Sequence, residues 1–330
     1  MKKIAVTGFI VAVCMLLIPL SAPKSKKESV KRSVAVQTSA KNEEVLAQKE
    51  EKPLGQKSEE VTFRIKTKDK VINLSAYDYI IGVVAAEMPA SFEAEALKAQ
   101  SVAAYSFALY KKERASGDFD LTDSYKTDQS YCGEAALKEK WGDSYEKSID
   151  KIKSAVSAVE GEYLSFDGEA ALALYHSLSS GKTNSCFDVF GSEIPYLVSV
   201  NSKSDALSPD GRTVAVFKKD ELNKKLSEIA KAEGGNLITD IKSTDNGFVK
   251  EIKFAEKSVS GVTFAGLLGL CSPNFTVKYS EGKYTFTCTG RGHGVGMSQY
   301  GANQMALSGS NYREILAHYY PGTTLEGLKK

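Results

Sequence analysis

No two cysteines in this chain have the C-x-x-C spacing, and no two histidines have the H-x-x-x-H spacing, although its 330 residues hold five Cys and three His. The spacings that mark a zinc site in sequence are therefore missing. An excess of charge of one sign is missing too, since 43 Lys and Arg stand against 41 Asp and Glu. A nucleic-acid partner would favour a basic face, so this balance argues against one and leaves room for a neutral or weakly charged polymer. No internal repeat is visible. Long apolar runs are absent except for one, at residues 4–20 behind Lys2 and Lys3.

That run is 17 residues long, near the short limit of roughly 17–25 for a membrane-spanning helix. A cleaved signal peptide is the competing reading. Bulky Leu20 two positions before Ala22, and Pro23 directly after it, form a poor A-x-A-like site. Val13 stands where a lipoprotein would carry a small residue before Cys14. A retained anchor over 1–22 is expected, single-pass in the cell membrane, with the rest of the chain outside the cytoplasm. Lys24, Lys26 and Lys27 flank its other end, so positive-inside asymmetry adds little to that orientation. A tether over 23–60 follows. Residues 21–60 carry 9 Lys or Arg and 7 Asp or Glu and no aromatic. Such a segment buries too little to offset its ordering entropy and reads as a disordered spacer, with a marginal helix around 43–52 as the alternative. Residues 61–330, with 32 basic and 34 acidic side chains, form the ordered part. They suffice for one large domain or two lobes.

Alternation predicts a hairpin from strands 61–66 and 70–74 around a turn at 67–69. Helices are expected at 92–112 (capped by Ser91), 147–159, 220–232, 298–307 and 312–319. Strands are expected at 162–166 and 170–176, around an Asp167-Gly168 turn, and at 247–254, 275–279 and 284–289. Strand pairs joined by short turns, with helices in blocks, indicate an α+β fold rather than a parallel α/β sheet. The expected architecture is antiparallel strands with packed helices around a central substrate groove.

The most informative segment is Val83-Val84-Ala85-Ala86-Glu87-Met88-Pro89. Ser75-Ala76-Tyr77-Asp78 opens a helix in the manner of a capping box, and Pro89 biases Met88 out of helical geometry. Glu87 then falls in the last turn, where the helix dipole opposes a carboxylate. Apolar neighbours would raise its pKa further. A glutamic acid still protonated near neutral pH is a candidate general acid. A surface Glu on a frayed helix end is the alternative.

Three other clusters attract attention. His176-Ser177 ends a strand and leads into Leu178-Ser179-Ser180-Gly181-Lys182-Thr183, a small polar loop able to donate hydrogen bonds. Gly290-Arg291-Gly292-His293-Gly294-Val295-Gly296-Met297-Ser298-Gln299 alternates glycines that weaken a strand but admit close approach of a ligand. Thr127-Asp128-Gln129-Ser130-Tyr131 mixes hydrogen-bonding and stacking groups, as sugar sites do. Cys271 and Cys288 suit a cross-strand disulfide. Cys132 and Cys186 suit a second pair or a metal site with His176. Buried free thiols fit equally well.

Together these segments resemble the stage II sporulation protein D (SpoIID) family and its relatives described as amidase enhancers. The resemblance rests on Ala86-Glu87-Met88-Pro89, on Glu95–Gln100 with Val102-Ala103-Ala104, and on Gln129 and Tyr131. It rests also on His176-Ser177 with Ser180–Thr183, on the glycine segment continued through Tyr300-Gly301-Ala302, and on Tyr319-Tyr320-Pro321-Gly322-Thr323. It covers roughly 61–325 in motif order. It implies a peptidoglycan lytic transglycosylase that cuts MurNAc–GlcNAc bonds of glycan strands during spore engulfment and leaves 1,6-anhydro ends.

By the same resemblance Glu87 is the catalytic residue, acting as acid and then as base. The implied substrate-binding residues are Lys98, Gln129, Tyr131, His176, Ser177, Ser180, Gly181, Lys182, His293, Gln299 and Tyr300. No cofactor is implied. The implied partners are the stage II sporulation protein P amidase, which strips stem peptides from the glycan, and a stage II sporulation membrane scaffold. The implied location is the mother-cell membrane, facing the intermembrane space. Tyr105 stands where many relatives carry Arg, so that cationic contact is either lost or supplied elsewhere, by Lys98 or Lys182, and Tyr105 itself either stacks on a sugar face or packs in the core. Some relatives bind zinc through a Cys-rich cluster. Only Cys132 lies in that region here, so no metal is carried over. The alternatives are a noncatalytic glycan-binding activator of an amidase, and a metal-dependent hydrolase using His176, His293 and cysteines.

Overall fold

The computed structural model describes residues 61–208, 211–231 and 236–327. The expected anchor and tether lie outside them. Among the described residues no helix is long and apolar enough to cross a membrane.

The chain opens with strands β1 (Thr62–Lys66) and β2 (Val71–Ser75), paired antiparallel from Thr62 opposite Ser75 to Lys66 opposite Val71. Phe63 and Ile65 point inward and are fully buried, as the period of two requires. Helix α1 (Ala76–Glu87) follows without a loop. The Ser75 hydroxyl accepts from the Asp78 N–H at 3.0 Å, the expected N-cap. Tyr79 through Ala85 are all buried, so α1 runs through the interior rather than along a surface.

Helix α2 (Ala94–Arg114) is the central rod. Ala96, Ala99, Ala103, Ala104 and Ala108 are fully buried, and these small side chains let it contact α1 and the later helices α4, α8 and α9 (ranges below). The expected Ser91 cap is not used. The N-cap is Glu93, with no side-chain cap bond of its own. The Glu93 N–H donates instead to Asn303 Oδ1 at 2.7 Å. A short β3 (Leu121–Thr122) joins β1 in parallel. Helix α3 (Glu134–Trp141) was not anticipated, and α4 (Tyr145–Ala158) begins slightly earlier than expected.

Strand β4 (Glu162–Phe166) turns through Asp167-Gly168 into β5 (Glu169–Ala170). The single strand expected over 170–176 is divided, and only β6 (Tyr175–His176) resumes a ladder. Between them Ala171–Leu174 is buried outside any strand. Its main chain is satisfied by the Tyr196 hydroxyl, which accepts from Leu172 N–H, and by the Tyr320 hydroxyl, which donates to Leu174 C=O. Strand continuity is unnecessary once every buried peptide group has a partner.

Helix α5 (Cys186–Phe190) precedes a second core. This core lies between the sheet β11-β12-β7 and the sheet β10-β9-β8. The strands are β7 (Arg212–Lys218), β8 (Ile238–Ser243), β9 (Val249–Phe254), β10 (Lys257–Ser260), β11 (Phe275–Ser280) and β12 (Lys283–Thr289). Helices α6 (Lys219–Lys225) and α7 (Gly261–Leu268) accompany them. Phe254, Phe264, Phe275 and Phe286 meet at its centre. Helix α6 stops well short of residue 232. Leu222 within it and Leu226 just after it are buried, and the chain then closes as a turn onto the Leu226 carbonyl.

The C-terminal part returns to the first core. β13 (Met297–Ser298) pairs in parallel with β6, α8 (Gln299–Leu307) is capped by Ser298, and α9 (Tyr312–Tyr319) has an Asn311–Glu314 capping box. β14 (Thr324–Gly327) closes on β4. The fold is thus mixed α+β with antiparallel sheets. Cys132, Cys186, Cys271 and Cys288 are free thiols. Cys288 lies on β12, whereas Cys271 lies in the loop before β11 rather than on a strand.

Candidate active site

Helix α1 ends at Glu87. Met88 is extended, at φ −124° and ψ 138°, as Pro89 requires of the residue before it. The Glu87 side chain meets the segment that runs into α3. Its Oε1 accepts from the Ser130 backbone N–H at 2.6 Å. Burial raises the Glu87 pKa above its ordinary value. The Ser130 N–H and hydroxyl and the Lys140 charge oppose that shift without cancelling it. Lys140 itself donates to Ala85 C=O at 3.1 Å.

Two surface depressions meet at Glu87 and Pro89. One, of about 440 Å³, is lined by Met88, Ser91, Lys140, Trp141 and Ser148 among others. The other, of about 350 Å³, is lined by Ser177, Leu178, Arg291, Gln299 and Tyr300. Glu87 therefore lines two neighbouring depressions of roughly sugar size, with one carboxyl oxygen held by Ser130.

The glycine-rich segment reaches this point because it lies against the 174–179 stretch. Gly296 has φ +73°, and a Cβ there would stand 1.9 Å from Leu174 O. Gly290 has φ +77° and would meet Leu178 O at 2.8 Å. Only glycine meets both demands. Leu178 and Arg291 exchange both backbone hydrogen bonds, at 2.7 and 3.1 Å, and Tyr300 N–H donates to Ser177 C=O at 3.1 Å.

Of the residues named from sequence, Ser177, Gln299 and Tyr300 join Glu87 in the second depression. The others line neither depression. Gln129 is buried and ties Tyr79, Ala104 and Tyr175 together. Tyr131 stacks on Tyr79 at 5.8 Å. Lys98 is paired with Glu95 at 2.6 Å.

Ser180 donates to Asn246 C=O, Gly181 N–H donates to the Ser179 hydroxyl, and Lys182 is exposed. His176 is buried behind Ser177, with Nδ1 at 3.1 Å from Val295 O. His293 Nδ1 accepts from Val295 N–H at 3.1 Å. Burial pushes the two histidines down to about 4 and about 3 respectively, so both are neutral at neutral pH. Among the described residues no three His, Cys, Asp or Glu side chains form a metal-binding group. Tyr105 is a core aromatic, edge-on to Phe63 and Tyr163. It neither replaces a cation nor faces a sugar.

Sequence reasoning passed over Ser130, Lys140, Trp141 and Arg291. Ser130 and Arg291 stand inside clusters named above but are given no role of their own there. Lys140 and Trp141 lie on the unanticipated α3, where no motif marks them.

Fold and site together define an α+β protein whose buried carboxyl separates two surface sites. The chain matches the SpoIID family, described as stage II sporulation protein, over residues 64–166. It is 34% identical over 341 residues to stage II sporulation protein D of Bacillus subtilis (strain 168), which covers 98% of this chain and 96% of that protein. The corresponding Bacillus amyloliquefaciens protein is 36% identical over 260 residues, 77% and 75% of the two chains. An amidase enhancer of Bacillus subtilis (strain 168) is 28% identical over 300 residues, 74% of this chain and 40% of that protein. The chain belongs to the stage II sporulation protein D family.

Proposed function

We propose that this sporulation-family protein is a peptidoglycan lytic transglycosylase that cleaves MurNAc–GlcNAc bonds of glycan strands. The observation that carries the reading is Glu87: a carboxyl raised in pKa by burial, held through one oxygen by Ser130, where two sugar-sized depressions meet. Protonated Glu87 gives its proton to the glycosidic oxygen as the bond to the muramic anomeric carbon breaks. The resulting carboxylate takes the proton of the muramic C6 hydroxyl, whose oxygen closes on that carbon to give the 1,6-anhydro end. One group serves both steps and water is not consumed, unlike the two-carboxylate glycosidases. The central substrate groove is the path through both depressions.

In this reading residues 1–22 anchor the chain in the membrane, 23–60 are the tether, and 61–330 act outside the cytoplasm. Its partners are the glycan strands, the amidase that strips them and a membrane scaffold. Incubation of the chain with stripped glycan tests the reading. Anhydro ends support it, new reducing ends indicate a hydrolase, and bound but intact glycan indicates an amidase activator. That last outcome is favoured by one observation, the likeness to an amidase enhancer.

A further inference from the structure

Arg291 is the cation of the second depression. Its backbone is fixed on both sides. The Gly290 N–H donates to Gly211 C=O at 2.9 Å, Arg291 N–H to Leu178 C=O at 2.7 Å, and Gly292 N–H to Cys271 C=O at 2.9 Å. Its side chain is exposed, and no ion pair or side-chain hydrogen bond to another described residue holds it. Two of the neighbouring polar groups are already engaged. Gln299 Nε2 donates to Gln100, and Ser177 C=O accepts from Tyr300. The charge that acts on Glu87 is that of Lys140, which lines the other depression. A guanidinium carried on a fixed backbone, with no partner of its own among the described residues, suits an anionic ligand that it can grip bidentately.

A glycan strand has few anions to offer. Its hydroxyls and acetamides are neutral. Once the stem peptide is gone, each MurNAc carries one carboxylate, on the lactyl group at O3. With the stem attached, that group is an uncharged amide. We infer that Arg291 binds the lactyl carboxylate of the MurNAc at the cleavage point. The depression of Ser177, Gln299 and Tyr300 is then the MurNAc side, and the Trp141 depression is the GlcNAc side. The inference rests on the glycan-cleaving reading and gives it a polarity. It also gives a physical reason for preferring stripped strands, since removing the stem creates the charge that Arg291 meets.

The test is a two-by-two binding experiment on the full chain carrying Glu87→Gln, with and without Arg291→Gln. Its ligands are stripped MurNAc–GlcNAc tetrasaccharides and the same fragments with their carboxylates converted to methylamides. With Arg291 present, amidation should weaken binding about tenfold or more, as for a charge-assisted pair. With Arg291→Gln, the two ligands should bind within about twofold of each other, while Arg291→Lys should keep part of the preference. Retained affinity of Arg291→Gln for the neutral ligand reports that the fold is intact. Equal sensitivity to amidation in both proteins, or none in either, overturns the assignment. The anhydro-end assay on the unmodified chain is a separate readout. Anhydro ends without carboxylate coupling leave the reaction standing and remove Arg291. Coupling without anhydro ends does the reverse.

Discussion

In the proposed reaction a single carboxyl carries both proton transfers, and its environment sets opposing demands. Burial favours the protonated form of Glu87, whereas the Ser130 N–H favours the charged form. Burial outweighs the rest, so the pKa is raised, the direction that a group required to start protonated needs, while the Ser130 N–H is a donor for the carboxylate that the proposed reaction leaves behind. Glu87→Gln should keep glycan binding and lower anhydro-end formation by at least about a hundredfold, the low end for general acid–base catalysis. Substantial cleavage by the folded variant would remove Glu87 from the mechanism.

The raised pKa has a consequence for stability. Above the unfolded value of about 4.3, the native state holds the Glu87 proton more tightly than the unfolded chain does. This contribution to stability therefore falls as pH rises towards the raised native pKa and is level beyond it. The Tm gain from Glu87→Gln should accordingly be larger at pH 8 than at pH 4. Under single-turnover conditions the cleavage rate should fall as pH passes the same raised pKa. A gain independent of pH, or a rate already lost between about pH 4 and 5, would contradict the burial argument.

At the scale of elements, what was legible from sequence is what local chemistry fixes. The β1–β2 hairpin follows from alternation, and the start and stop of α1 from Ser75 and Pro89. The divided strand at 170–176 was not legible, because the partners of Leu172 and Leu174 are Tyr196 and Tyr320, far off in sequence. The same holds for the histidines. His176 and His293 look chemical in a motif, yet both spend their Nδ1 on the Val295 main chain. Their work is to seat the glycine-rich segment against β6.

Gly296 is the tightest point of that seat. Gly296→Ala joins a left-handed backbone angle to a clash with Leu174 O. It should cost about 2–4 kcal/mol by urea unfolding and disturb the Arg291–Gln299 side of the site. A cost below about 0.5 kcal/mol would mean that the loop position is not fixed as described.

Across the whole molecule, the site depends on how the two hydrophobic cores are joined. A chain of side-chain amides makes the junction. Asn274 Nδ2 donates to Ser180 Oγ at 3.1 Å and to Asn246 C=O at 3.0 Å, and Asn274 Oδ1 accepts from Asn184 Nδ2 at 3.2 Å. Asn184 Nδ2 also donates to His293 C=O at 3.0 Å, and Asn246 Nδ2 donates to Asn184 Oδ1 at 2.8 Å. Ser180 is therefore used in connecting the cores. Asn184 and Asn274 are buried while Ser180 and Asn246 are half-buried, and buried polar groups in such a network are costly to leave half-paired.

Asn274→Ala removes three of these bonds while leaving Asn184, Asn246 and Ser180 in place. Ser180, Asn246 and Asn184 each keep another bond, so each bond lost costs about 0.5–1.5 kcal/mol. Calorimetry should show a Tm lowered by several degrees, with the second core tending to melt as a separate transition. Because Asn184 also holds the His293 carbonyl, glycan cleavage should fall although the substitution lies outside both depressions. An unchanged Tm together with unchanged cleavage would show that the two cores are coupled by something other than this network.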